Sequence, residues 1–247
     1  MSRLLDISCL LLGLALALAT PTPDADLLTY GAPTADYVRH GDYLVSFDGR
    51  TRTPRWVLER ISAASLGGDA RRDGEAFRID RDVPVEFRPT GADYAASGWD
   101  VGHNAAAGNG GTQEAMHATF LFTNAAPQAP DLNRNGWRVL ETRLRDAALR
   151  GSVLYVVTAP LWIPEQGQLK VRAIGPHGVW IPSHFGKAAL FIHADAPLEM
   201  RAWVMPNSAV AAKDIDRYRV TVDNFEGWSG IDVFARLPDD VENRWEA

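Results

Sequence analysis

The sequence predicts an α+β protein with a mixed or antiparallel central sheet and flanking helices, and three observations carry that reading. Ser152 to Ile163 contains L-Y-V-V-T-A-P-L-W-I, a run so rich in β-branched and aromatic side chains that it reads as a buried strand. Asn133 to Arg150 sets Trp137, Leu140, Leu144 and Ala147 at helical spacing, with Gly151 as a stop. Around these lie short apolar segments separated by Gly, Pro and Asp turns, the pattern of several strands. With 247 residues, 46% of them hydrophobic, the chain can bury a substantial core, and no shift in composition divides it.

In chain order, Met1 to Thr20 carries Arg3, then an apolar run from Ile7 to Leu18, then Ala17-Leu18-Ala19 as a small-x-small cleavage pattern. This predicts a signal peptide over residues 1–19 and a secreted or periplasmic protein with no stable membrane association after cleavage. The alternative is an uncleaved anchor, for which the apolar run is short. The only cysteine, Cys9, falls in this segment, so a cleaved chain would have no disulfide and no thiolate metal site. Residues 20–30 read as a linker, 31–240 as the folded domain and 241–247 as a C-terminal tail.

Tyr43 to Phe47 is expected as a strand ended by Asp48-Gly49, with Arg55 to Arg60 as its hairpin partner. Leu66 to Asp82, containing G-G-D-A-R-R-D-G, should be an exposed loop anchored by Phe77-Arg78-Ile79. Val83 to Arg88 is expected as a further strand. Asp100 to His103 should be extended, which puts Val101 and His103 on one face and Asp100 and Gly102 on the other. Asn104 to Thr112, with its alanines and glycines, must loop, and Gln113 to Ala118 can form a short helix. After the long strand, Val171 to Ile174, Trp180-Ile181, Ala188 to His193 and Met200 to Met205 supply more strands. Ile215 to Tyr218 and Val220 to Phe225 then lead into a short helix at Ser229 to Phe234.

Charge lowers the prospect of a broad electrostatic grip on nucleic acid, since the formal net charge is −6, but 25 Lys and Arg leave room for a local basic groove. On the helix, Asn133, Glu141 and Arg145 are spaced by eight and four residues, so they drift along one side beside the apolar stripe. A neutral amide oxygen near the helix start, facing a histidine from a neighbouring strand, suits a hydrated magnesium ion, which takes oxygen ligands and keeps several waters. The same residues also admit a plain reading: a helix cap, an i,i+4 surface pair and a loop histidine.

Several blocks together narrow the choice. They are Y-L-V-S-F-D-G-R-T-R-T-P-R-W-V-L-E-R, S-G-W-D-V-G-H, T-F-L-F-T-N-A-A-P-Q-A-P-D-L-N-R-N-G-W-R-V-L-E, I-P-S-H-F-G-K, A-W-V-M-P-N and S-G-I-D-V-F. In these blocks the chain resembles the DNA/RNA non-specific endonucleases of the ββα-metal fold, in their endonuclease G branch, from Gly31 to Asp240. The resemblance implies a ββα-metal motif embedded in the α+β fold, a magnesium or manganese cofactor, DNA and RNA as substrates, 5′-phosphate products and a homodimer. It implies that His103 is the general base, that Asn133 is the metal ligand and that Glu141 holds water of the metal's hydration shell. Asn124 would support the geometry around the base, and Arg145 would face the scissile phosphate.

One position departs from the family pattern Asp-Arg-Gly-His: here it is Asp100-Val101-Gly102-His103. Losing a preorganised donor at the phosphate typically costs a factor of about 10²–10³ in rate. Arg78, Arg134 and Arg138 are the candidates to contact substrate in its place. The alternative is a weakened homologue that acts as a nucleic-acid- or protein-binding module. The resemblance assigns no chemistry to His184 or Lys187, which read as structural. His40, His117, His177 and His193 have no spacing that calls for a metal.

Overall fold

Alternation along the long strand explains why it reads as a continuous apolar run. In a computed structural model, which describes residues 27–238, 241 and 244, this strand runs over Val153–Leu161. It sits fourth of seven in the central sheet, so both of its faces are covered. Tyr155, Val157, Ala159 and Leu161 face one hydrophobic cluster, and Leu154 and Val156 face another. The side chains on both faces are therefore mostly apolar, the buried exception being Thr158.

The strands in chain order are β1 (Val38–His40), β2 (Tyr43–Asp48), β3 (Thr53–Ile61), β4 (Asp100–His103), β5 (Ala125–Gln128), β6 (Val153–Leu161), β7 (Ala173–Ile174), β8 (Val179–Trp180), β9 (His184–Ile192), β10 (Glu199–Pro206) and β11 (Arg219–Val220). The seven-stranded sheet has the order β1-β2-β3-β6-β9-β10-β11, with every pairing antiparallel. The helices are α1 (Ala63–Leu66), α2 (Gly91–Tyr94), α3 (Gln113–Thr119), α4 (Arg138–Leu149) and α5 (Val222–Ser229).

One face of the sheet packs against α5 through Val222 and Phe225 and against the C-terminal Ile231, Val233 and Phe234. The other face carries α4 through Leu140, Leu144 and Ala148, with the Trp137 and Phe185 rings packed at 5.5 Å, tilted by 59°. Above that second face lies the β4–β5 hairpin, which pairs Asp100 with Gln128 and His103 with Ala125. The hairpin, the turn at Leu132–Trp137 and α4 together carry most of the candidate site residues. The α+β class and the antiparallel sheet expected from the sequence are both present.

Several local expectations are corrected. Val83 to Arg88 is not a strand: Val85–Phe87 forms a 3-10 turn, and the Arg88 guanidinium bonds the carbonyls of Val83 and Arg81, curling the segment on itself. Val85 is 74% exposed, so the apolar alternation there marks no core face. The end of the chain is also redistributed: Val220 closes a two-residue strand, Thr221 caps α5, and Gly230 ends that helix with φ 66°. Helix thus occupies Val222–Ser229 instead of Ser229 to Phe234.

The long helix does not begin as an α-helix, because Leu132–Trp137 is a π-helical turn and the α-helix runs only over Arg138–Leu149. Its buried stripe ends on Ala148, with Ala147 only half-buried. At the other end, Leu27 is buried in the core and the Tyr30 ring meets Tyr155 edge-on at 4.9 Å. Residues 27–30 therefore pack onto the folded body, at the end of the stretch expected as a linker. The proposed signal peptide lies outside the described residues.

Gly102 shows how tightly the hairpin is built. A Cβ at this position would sit 2.6 Å from the Gln128 Cβ, far inside normal contact. Overpacking of this kind typically costs about 1–3 kcal/mol. Gly102→Ala is therefore expected to lower the thermal unfolding midpoint by several degrees, measured by circular dichroism; an unchanged midpoint would show that the hairpin yields freely.

Candidate active site

A cavity of about 640 Å³ opens between the β4–β5 hairpin and α4. Its wall includes Asp100, Val101 and His103 from β4, Ala106 to Gly108 from the following loop, Asn133 and Arg134 from the π turn, and Arg138, Glu141 and Arg145 from α4. The structure thus brings together six of the predicted site residues: His103, Asn133, Arg134, Arg138, Glu141 and Arg145. Val101 and His103 share the cavity face as strand alternation requires. Asp100 was expected on the opposite face, yet it also reaches the cavity.

Asp100 does so because the π turn supplies its partners. Its carboxylate accepts from the Asn133 Nδ2 at 2.9 Å and from Arg134 Nε and Nη2 at 2.9 and 2.7 Å. Burial opposes ionisation of Asp100, but Arg134 and Asn133 outweigh it and hold the carboxyl below its usual value. The Asn133 amide is thereby oriented with its NH2 group committed to Asp100, which leaves Oδ1 as the free ligand atom. Arg134 is tied to the same carboxylate, so it supports Asn133 and is less available to substrate than the sequence suggests.

His103 is buried, with Phe77 at 4.5 Å and the edge of Phe120 at 4.7 Å between ring centroids. Its Nε2 has no hydrogen-bond partner among the described residues. Burial, aided by the Arg72 charge, pulls its pKa down from 6.5 to about 3. The imidazole is therefore neutral well below neutral pH, not titrating near 6.5 as an unperturbed histidine would.

Asn124 and Arg78 lie outside the cavity wall. Asn124 is fully buried and clamps the loop after the base: its Oδ1 accepts from Ala105 N, and its Nδ2 donates to the carbonyls of Ala105 and Thr119. It holds the backbone of the loop that follows His103 without touching the cavity. Arg78 instead donates to the His117 ring and carbonyl and sits 3.7 Å from Glu75. It does not fill the place left by Val101.

Sequence reasoning missed Arg72, Glu59 and the reach of Lys187. Arg72 comes from the loop of Leu66 to Asp82, lines the cavity and lies 5.5 Å from the Phe120 ring centroid. A loop arginine has no periodicity to reveal it. Glu59 and Lys187 did leave a signal, because each is a charge within an otherwise apolar strand. Both are buried. Lys187 Nζ donates to Thr158 Oγ1 at 2.6 Å and to Asn104 O at 3.3 Å, and lies over the Trp137 ring at 4.9 Å. Burial lowers the Lys187 pKa, against the opposing pull of Glu141 and Glu59. Burial pushes Glu141 up and Glu59 up to about 7, with Lys187 opposing both shifts.

A second cluster joins His40, Asp80 and Asp82, residue types able to hold a metal, with ligand atoms within 4.8 Å of one another. His40 thus has partners that its sequence position did not suggest. Asp80 is already well bonded, to His40 Nε2 at 2.9 Å, Thr123 Oγ1 at 2.6 Å and the Asp82 N–H at 2.9 Å. His184, His117, His177 and His193 bond Ser183, Glu75, Asp93 and Ser152 respectively, outside the cavity wall.

A carboxamide, a carboxylate, a neutral imidazole and several guanidinium groups around one solvent-open cavity make a site suited to hydrolysing phosphate esters. Residues 23–240 match the model of the DNA/RNA non-specific endonucleases, and the chain belongs to that family. It is 37% identical over 214 residues to human mitochondrial Endonuclease G, covering 83% of this chain and 72% of that protein. It is 34% identical over 222 residues to Nuclease C1 of Cunninghamella echinulata var. echinulata, covering 85% of this chain and 88% of that protein. The solved structure of an EndoG/EndoGI complex superposes with a TM-score of 0.85 at 33% identity, covering 90% of this chain and 95% of that one.

These relatives correct the expected location. Endonuclease G of human, cattle and Caenorhabditis elegans is mitochondrial, as is the mouse nuclease EXOG, which overturns a secreted or periplasmic assignment read from one apolar run. Among the described residues no helix is long and apolar enough to cross a membrane.

The buried imidazole has a consequence for stability. With a folded pKa of about 3 and an unfolded value near 6.5, the unfolded chain binds more protons between those limits. The contribution of neutral His103 is present above about pH 6.5 and is lost as pH falls toward 3. In metal-free protein, His103→Ala is expected to flatten the acid-side decline in denaturant stability over that window. An unchanged slope would mean that His103 ionises freely in the folded state.

Proposed function

We propose that this protein is a divalent-metal-dependent endonuclease that cleaves phosphodiester bonds of both DNA and RNA, leaving a 5′-phosphate and a free 3′-hydroxyl. The observation that carries the reading is that His103, Asn133, Glu141 and Arg145, from a hairpin and a helix far apart in sequence, line one cavity.

The metal fits the donor set. The Asn133 Oδ1 is the ligand atom left over once Asp100 has taken its NH2 group, and Glu141 brings a carboxylate to the same wall. Asn133 would hold magnesium or manganese, with Glu141 accepting from water around it; the ion would supply positive charge to the phosphate and the leaving oxygen.

The chain's own groups do the rest. Neutral His103 takes a proton from the attacking water as its oxygen forms a bond to phosphorus and the bond to the 3′ oxygen breaks. The leaving oxygen acquires its proton from solvent. Arg145 and Arg72 place guanidinium groups at the cavity wall, where charge accumulates on the phosphate. Arg72 supplies what Val101 cannot, since Val101 packs with Phe77 and Trp99 against the cluster of Tyr94, Phe122 and Ile181. Arg138 lines the wall with its Nε committed to the Arg134 carbonyl.

Plasmid and RNA cleavage by the purified chain with magnesium or manganese tests the reading. His103→Ala is expected to lose about 10²–10⁴ in kcat while still binding plasmid, and Asn133→Ala should raise the metal concentration needed. Salt-dependent binding by the parent without turnover in any divalent metal would instead support a binding module. Size-exclusion chromatography with light scattering reads out the homodimer that the resemblance implies.

The arginines separate further. Arg72→Ala is expected to lower kcat by about a hundredfold, whereas Arg78→Ala should leave it near the parent value. Val101→Arg should gain less than about tenfold, well short of the full worth of a missing donor. A gain of hundreds would show that Arg72 does not compensate.

A further inference from the structure

The loop that leaves His103 returns to the catalytic helix, and every residue at which it is held is identifiable. Asn104 O accepts from Lys187 Nζ, and the backbone of Ala105 is bonded on both sides by Asn124. Ala106 N–H donates to Glu59 Oε1 at 3.2 Å, and Asn109 Nδ2 donates to the same oxygen at 2.8 Å. The other side of the Asn109 amide, Oδ1, accepts from Arg145 Nη1 at 3.3 Å. An ionised Glu59 offers only acceptors and Arg145 only donors, so the half-buried amide satisfies both in a single orientation.

Gly108 permits the close approach. A Cβ there would lie 3.1 Å from Arg145 Nη1 and 3.3 Å from its Cζ, so a side chain would press on the guanidinium. Apart from Asn109, the remaining hydrogen bond of Arg145 runs from Nη2 to Thr142 Oγ1 on its own helix, at 3.1 Å. That bond tethers the side chain along α4 without turning it toward the base strand.

We propose that Asn109 is a positioning residue for the cleavage reaction: anchored on Glu59, its carboxamide holds the Arg145 guanidinium in the orientation that meets the phosphate. The inference rests on the reading of Arg145 as a phosphate contact. A long arginine side chain has several rotamers of similar energy, and fixing it in advance spares that ordering in the transition state. Removing the acceptor should therefore act on kcat more than on KM, because the other substrate contacts remain. A purely structural tie would lower stability and leave the chemistry of the folded enzyme untouched.

The experiment is a double-mutant cycle on the full chain, with steady-state cleavage of a short DNA duplex in magnesium for the parent, Asn109→Ala, Arg145→Ala and the double variant. Asn109→Ala is expected to lose about tenfold in kcat, with KM changed by less than about twofold, and to add nothing in the Arg145→Ala background. The proposal is overturned if Asn109→Ala keeps the parent kcat, or if it costs the same factor with and without Arg145. A loss from poor folding reappears in the Arg145→Ala background and so also counts against it. If Arg145→Ala itself keeps the parent kcat, the reading of Arg145 fails and this inference falls with it. That outcome is distinct from an inactive Arg145→Ala on which Asn109→Ala is merely additive.

Discussion

The buried ammonium of Lys187 is the interaction on which the rest of the site depends. It stands in the centre of the sheet, on β9, and faces two carboxylates: Glu59 from β3 and Glu141 from α4. Each of the three would be costly to bury alone, because an isolated charge in a low-dielectric interior loses several kcal/mol of hydration. Together they partly neutralise one another, Lys187 opposing the upward shift of each carboxyl. Glu59 spends its Oε1 on the loop behind His103, while Glu141 faces the cavity.

That arrangement explains why the functional groups come from so many parts of the chain and still share one cavity. The sheet is covered on both faces, so the second hydrophobic cluster fixes α4 against β6, β9 and β10. The β4–β5 hairpin is then located from below by Lys187 and Glu59, and from the side by the buried Asn124. The acidic chain still gathers a local excess of cations here: Arg72, Arg134, Arg138 and Arg145 line one cavity beside Asp100 and Glu141, while the molecule as a whole carries −6. A basic site on an acidic body favours substrate at one place without general adhesion to polyanions.

Much of this was legible in the sequence, for reasons specific to each residue. Strand β6 and the stripe on α4 were visible because both bury faces with a fixed period. The motif residues His103, Asn133 and Glu141 were visible because their order along the chain survives in the family pattern, and the relatives bear out that family. Arg72 was not legible, since its role is set by where a long loop folds over Phe120, which no local pattern encodes. Arg78 misled because the resemblance places a phosphate-contacting arginine in this upstream segment, whereas its guanidinium turns to His117 and Glu75. Val83 to Arg88 misled because alternation was read as strand where the segment instead curls into a 3-10 turn held by the Arg88 guanidinium. The depressed pKa of His103 was out of reach as well, because it follows from two aromatic rings brought by other segments.

The π-helical turn at Leu132–Trp137 sets the direction of its own side chains relative to those of α4. On an unbroken α-helix, residues eight apart such as Asn133 and Glu141 differ by about 80° in direction. That offset would send the amide toward the flank of the cavity while the carboxylate faced its centre. A turn closed from i to i+5 takes up an extra residue with little rotation, so the amide swings back into line with Glu141 and Arg145. Gly136 makes this possible, since its N–H donates to the Val210 carbonyl and a Cβ there would lie 2.7 Å from Val210 Cγ1. The direction of the Asn133 amide relative to the Glu141 carboxylate is thus tuned by the winding of one turn, and the length of the helix plays no part in it.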